Sequence, residues 1–153
     1  MNYSGLALTG PEGKKQVLLS DQDKAVVRTN LVNGLLDEPE KSVRDLFAET
    51  LHSILIHDFP EKWPDLIPTL LGTIQQAASQ PDQGLRVHNA LVALRKVCKR
   101  YEYKSKEQRG PLNEIVRQAF PLLLPLAQRL SQPTENSLEA AMMLKQILKI
   151  FWS

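Results

Sequence analysis

The stretch His57-Asp58-Phe59-Pro60-Glu61-Lys62-Trp63-Pro64-Asp65-Leu66-Ile67-Pro68 decides how this chain folds. A proline fixes φ and lacks an N–H, so it suits the first turn of a helix and damages a helix interior. It also pushes the residue before it out of the α region. With prolines at 60, 64 and 68, one helix ends near Asp58 and the next begins near Pro64. Phe59 and Trp63 are the apolar side chains available to pack the corner between them.

Upstream of the corner, Val43, Leu46, Phe47, Thr50, Leu51, Ile54 and Leu55 follow a three-four spacing. Glu40, Lys41, Asp45, Glu49 and His52 fall mostly on the other side, which is the pattern of an amphipathic helix restarted by Pro39. Before it, Val27, Leu31, Val32, Leu35 and Leu36 predict a helix of roughly 15 residues. Ser20 is its N-cap, with Asp21 and Asp23 in the first turn where the helix dipole favours negative charge. Ser20 and Asp23 also have the spacing of a capping box. The turn between these two helices is so short that they pack as an antiparallel hairpin.

Downstream, Leu66, Ile67, Leu70, Leu71 and Ile74 mark a third helix. A turn containing Pro81 and Gly84 leads to a fourth from near Gln83, with Val87, Leu91, Leu94, Cys98 and Tyr101 on its apolar face. Tyr103 to Pro111 reads as polar loop. A fifth helix spans Leu112 to Leu130, and Pro121 and Pro125 within it predict a kink or break. A turn at Pro133 precedes a sixth helix from near Glu135, carrying Leu138, Ala141, Met142, Leu144, Ile147, Leu148, Phe151 and Trp152. Residues 1–19, with Gly5, Gly10, Pro11 and Gly13, read as a loop or poorly ordered tail.

No segment alternates as a strand over a useful length. The pattern is all-α: three antiparallel helical hairpins over residues 20–58, 60–103 and 111–153. Corresponding helices start about 43 to 52 residues apart, close to the roughly 40–47 of HEAT and armadillo repeats. A HEAT-like right-handed solenoid follows, with an ordinary helical bundle as the alternative.

The 153 residues suit one domain, and 42% apolar residues can build its core. A net charge of +2 gives no strong pull toward nucleic acid or an acidic membrane. One cysteine, Cys98, excludes an intramolecular disulfide and a multi-cysteine metal site. No apolar run reaches the length of about 18 residues that a spanning helix needs. Met1 to Gly10 lacks the pattern of a secretory signal. The apolar run Ile147 to Trp152, one residue from the end, reads as that of a fragment or short form of a longer chain.

Catalytic and cofactor motifs are absent from the sequence. There is no G-x-S-x-G, Walker loop or G-x-G-x-x-G. His52, His57 and His88 lack metal-ligand spacing, and Cys98 reads as a small core residue. An enzyme is the poorest reading. Two surfaces remain. The exposed second-helix positions Lys41, Arg44, Asp45, Glu49, Arg86, Asn89 and Lys96 would share one concave face in a solenoid, the usual binding face. Their plain reading is a solvated surface. The run Arg95, Lys96, Lys99, Arg100, Lys104, Lys106 and Arg109, interleaved with Tyr101 and Tyr103, is either a basic patch for phosphate or an acidic protein, or a helix end whose cations suit the dipole.

Asp58-Phe59-Pro60-Glu61-Lys62-Trp63-Pro64-Asp65-Leu66-Ile67-Pro68 resembles the D-[FY]-P-x-x-W-P-x-L-x-P corner of the importin-beta superfamily, the karyopherins. Val26-Val27-Arg28-Thr29-Asn30-Leu31 resembles the V-R-x-N-L segment of their second HEAT repeat, and Pro39 with Ser42-Val43-Arg44 the start of that repeat's second helix. Tyr101-Glu102-Tyr103-Lys104 and Arg109-Gly110-Pro111-Leu112 look like the importin seven and importin eight branch. The resemblance covers about Leu19 to Ser153. It implies a nuclear import receptor that binds the small GTPase Ran in its GTP form through second helices near the N-terminus. It further implies protein cargo on the concave surface, phenylalanine-glycine nucleoporins on the outer surface, shuttling between cytoplasm and nucleus through the pore, and no cofactor. A general HEAT-repeat scaffold and a phosphate or RNA binder using Arg95 to Arg109 are the alternatives.

Overall fold

The structure is a computed structural model that describes residues 7–9, 16–132 and 137–152. Among these residues six α-helices follow one another: α1 (Asp21–Asp37), α2 (Lys41–Asp58), α3 (Leu66–Ala77), α4 (Gly84–Lys99), α5 (Gly110–Leu130) and α6 (Leu138–Trp152). Each odd helix packs on the even helix after it, giving three hairpins, and α4 packs on α1, α2, α3 and α6. In the segment that reads as a tail, β1 (Ala7–Thr9) pairs antiparallel with β2 (Gln16–Leu18), Ala7 opposite Leu18.

Side-chain caps mark the starts of α1 and α6. The Asp23 N–H donates to Ser20 Oγ at 3.1 Å, the N-cap bond the sequence predicts for α1. The Ala140 N–H donates to Ser137 Oγ at 3.0 Å at the start of α6; the Pro133 turn and Glu135 lie outside the described residues. Between Tyr103 and Pro111, a short 3-10 turn over Lys106–Arg109 leads into α5. Pro121 and Pro125 do not break α5, which continues as helix through both. Both prolines are on its exposed face, so the carbonyls they leave without a donor, those of Arg117 and Pro121, face water.

The core is a continuous cluster in which Leu35, Leu51, Leu55, Leu70, Ile74, Leu91, Leu94 and Leu123 are fully buried. Each such side chain contributes about 1.5–3 kcal/mol relative to exposure. The buried stripe of α2 is Arg44, Ala48, Leu51, Ile54, Leu55 and Asp58. That stripe leaves Leu46, expected inside, 67% exposed. On α1 the buried positions are Val32, Leu35 and Leu36, while Val27, also expected inside, is exposed.

Polar contacts between α2 and α4 set the stacking. Arg44 Nη1 donates to Asn89 Oδ1 at 3.2 Å, Lys96 pairs with Glu49, and Arg100 Nε donates to the Leu55 carbonyl at 3.0 Å. The sequence separations are 45, 47 and 45 residues. A near-constant separation means that the two helices run parallel in one register, which is the geometry of stacked repeats and not of an up-down bundle.

Two clamps close the ends. Asn89, fully buried, donates through Nδ2 to the carbonyls of Leu36 (3.2 Å) and Glu38 (3.0 Å), satisfying the C-terminal end of α1. At the corner, Asp58 accepts a 2.8 Å bond from Arg28 Nη1 of α1, and the Arg28 guanidinium lies 5.8 Å from the centre of the Trp63 ring. Trp63 is 4% exposed and Phe59 5%. Phe59 meets Tyr101 edge-on at 6.4 Å, tying the first hairpin to the end of the second.

These contacts yield two stability predictions for urea unfolding. Trp63→Ala should cost about 3–5 kcal/mol, the range for buried aromatic truncation; a near-neutral midpoint would mean that the corner is not packed. Asn89→Leu should cost about 1–3 kcal/mol through the stranded Leu36 and Glu38 carbonyls, and an unchanged midpoint would contradict the clamp.

Candidate functional site

Helices α2, α4 and α6 lie side by side, so their outward residues share one face. Of the residues the sequence places on it, Lys41 and Asp45 pair with each other at 2.7 Å, one turn apart and exposed. Glu49 pairs with Lys96, and Arg86 with Asp37 of α1. The Lys96 ammonium bonded to Glu49 holds that carboxyl below the usual range.

Arg44 and Asn89 are not exposed, contrary to the sequence reading. Arg44 is 6% exposed and Asn89 is buried completely. The reason is tertiary. Asn89 sits where α4 meets the end of α1 and supplies the donors that the α1 carbonyls need, and Arg44 reaches across from α2 to satisfy its amide oxygen. Asn89 is a structural clamp. Arg44 is buried but still borders the groove between α2, α4 and α6.

The basic run does not form one patch. Arg100 is half-buried, donates to the Leu55 and Ile56 carbonyls at the end of α2 and lies over the Tyr101 ring. Arg109 folds back on the carbonyls of Lys104 and Glu102. Arg100 thus caps the end of α2, where a cation suits the dipole, and Arg109 braces the loop that follows α4. Lys104 is exposed. Arg95 and Lys99 instead turn toward α6 and border a second groove, about 500 Å³, with Leu144, Lys145, Leu148 and Lys149.

The α6 residues Met142, Lys145, Lys149 and Trp152 on this face escaped the sequence reading, which took its candidates from α2 and α4. The signal was present: Lys145 and Lys149 stand four apart on the flank of the α6 apolar stripe. Burial, with the nearby Arg95 and Lys145 charges, lowers the Lys149 pKa.

Cys98 is not an activated nucleophile. Burial pushes the Cys98 thiol up to about 12, so it stays protonated. Burial likewise holds His88 below the usual imidazole range. Among the described residues no three His, Cys, Asp or Glu side chains are grouped to hold a metal ion, and no helix is long and apolar enough to cross a membrane.

Residues 40–153 match the family model described as Exportin 1-like protein. The chain is 35% identical over 143 residues to an importin beta-like SAD2 homolog of Arabidopsis thaliana, covering 94% of this chain and 13% of that protein. It is 31% identical to importin-8 of Homo sapiens over 88% of this chain and 12% of that protein. A probable importin-7 homolog of Dictyostelium discoideum is 30% identical over 87% of this chain and 12% of its own length. The chain thus spans about an eighth of the length of the curated relatives it matches. No solved structure matches it. With three stacked hairpins, the Asp58-to-Pro68 corner and a family match over most of its length, this chain belongs to the Exportin 1-like family within the importin-beta superfamily.

Proposed function

We propose that this chain is part of a nuclear import receptor that binds Ran in its GTP form and carries protein cargo. The observation that carries the reading is the shared register of α2 and α4. It aligns second helices into one continuous charged face next to α6, and stacked repeats bind partners on such a face. Lys41, Asp45, Glu49, Arg86 and Lys96 are the side chains this face offers to a partner. Their charges are largely paired within the chain, which favours a partner recognised by shape and by exchange of ion pairs over one held by net charge. Cargo on the concave side, phenylalanine-glycine nucleoporins on the outer side and shuttling between cytoplasm and nucleus belong to the same reading, which involves neither catalysis nor nucleic acid.

The test is direct. The full-length protein that contains this chain, immobilised, is exposed to Ran loaded with a non-hydrolysable GTP analogue or with GDP. Preference for the GTP form by at least about tenfold, or about 1.4 kcal/mol, is the expected result. Equal affinity for both forms, or none for either, would contradict the reading and leave a general helical-repeat scaffold in its place.

A further inference from the structure

The face shared by α2, α4 and α6 carries positive charge that no carboxylate among the described residues neutralises. Arg44, Arg95 and Lys145 form no ion pair among the described residues. Arg44 is 6% exposed, and its Nε and that of Arg95 are buried without a hydrogen-bond partner among the described residues. Both side chains border the same groove of about 460 Å³ between α2, α4 and α6. A buried guanidinium without a carboxylate is costly, and an incoming anion relieves that cost. The carboxylates beside it, Asp45 and Glu49, are held by Lys41 and Lys96.

The cationic groove adjoins the 500 Å³ groove between α4 and α6, and the two share Arg95, Lys145 and Lys149. The second groove has an apolar floor of Ala141, Leu144 and Leu148, ending at Trp152, which is 92% exposed. The crowding of positive charge is felt within the chain: the Arg95 and Lys145 charges, added to burial, disfavour the ammonium of Lys149.

We propose that these two halves form one docking site for an acidic, amphipathic segment of a protein partner. Its carboxylates would pair with Arg44, Arg95 and Lys145, and a bulky apolar side chain would lie on Leu144, Leu148 and Trp152. Charge complementarity selects an anion, and the aliphatic floor selects a peptide over a nucleic acid, which would need a series of aromatic platforms for its bases. The site does not depend on the transport reading, because it is defined by cations that form no ion pair among the described residues.

The probe is a fluorescein-labelled synthetic peptide in which Glu-Asp pairs alternate with Leu and Phe, followed by anisotropy with the chain. A peptide with Ser in place of Leu and Phe, a basic peptide and single-stranded RNA serve as comparisons. The acidic amphipathic peptide is expected to bind best. Lys145→Glu and Leu148→Asp, both at exposed positions and checked for retained helical circular dichroism, are each expected to weaken it by at least about tenfold. Equal binding of the Ser peptide or of RNA would overturn the proposal in favour of a plain polyanion patch. A dimer in sedimentation velocity that Leu148→Asp disperses, with no peptide bound, would overturn it by giving the face to a second copy of the chain. Failure of the Ran experiment leaves these outcomes unaffected, and failure here leaves Ran binding unaffected.

Discussion

An ion pair buried beneath an indole holds the corner of this molecule. Asp58 ends α2 with its side chain 3% exposed, and Arg28 reaches it from α1 at 2.8 Å while lying against Trp63. A buried carboxylate alone would be untenable, and a guanidinium alone nearly so. Together they fix where the first hairpin closes and where the second begins. The prolines stop the helix, but they do not say what the freed chain packs against; Arg28 and Trp63 do. The adjoining Phe59 then meets Tyr101 at the far end of the second hairpin, so one corner reaches three helices.

The remaining stacking depends on a second set of polar contacts along α4. Asn89 near its beginning ties down the end of α1, and Arg100 just past its end ties down the last carbonyls of α2. Between them Ala90, Leu91, Ala93, Leu94, Val97 and Cys98 are buried in the core. Buried area supplies the stability and these polar contacts supply the register. That register brings the second helices into line, and α6 completes the face with cations of its own. Function, on this account, is a property of the stack and not of any one residue.

The helices were legible because burial on one side leaves a three-four pattern, and the hairpin lengths were legible because prolines and tight turns punctuate it. The polar interior was not. Arg44 and Asn89 carry side chains that usually face water, and nothing local marks them as clamps; their burial follows from carbonyls on α1, whose position requires the tertiary structure. Arg100 has the same history, read as part of a cationic patch while it caps a neighbouring helix. The α6 half of the candidate site was missed for a different reason. Its lysines flank an apolar stripe and look ordinary until α4 brings Arg95 beside them. Pro121 and Pro125 misled in the opposite direction, since a proline on the wet side of a helix leaves carbonyls that water can satisfy.

The central claim is that Arg28 and Asp58 act as one unit under Trp63. A double-mutant cycle with Arg28→Met and Asp58→Leu, read by urea unfolding, tests it. Each single change should cost about 3–5 kcal/mol by stranding a buried charge. The double variant should recover part of that loss, with a coupling energy of about 1–3 kcal/mol. Additive costs, or two small ones, would show that the pair is solvated and that the corner is held some other way.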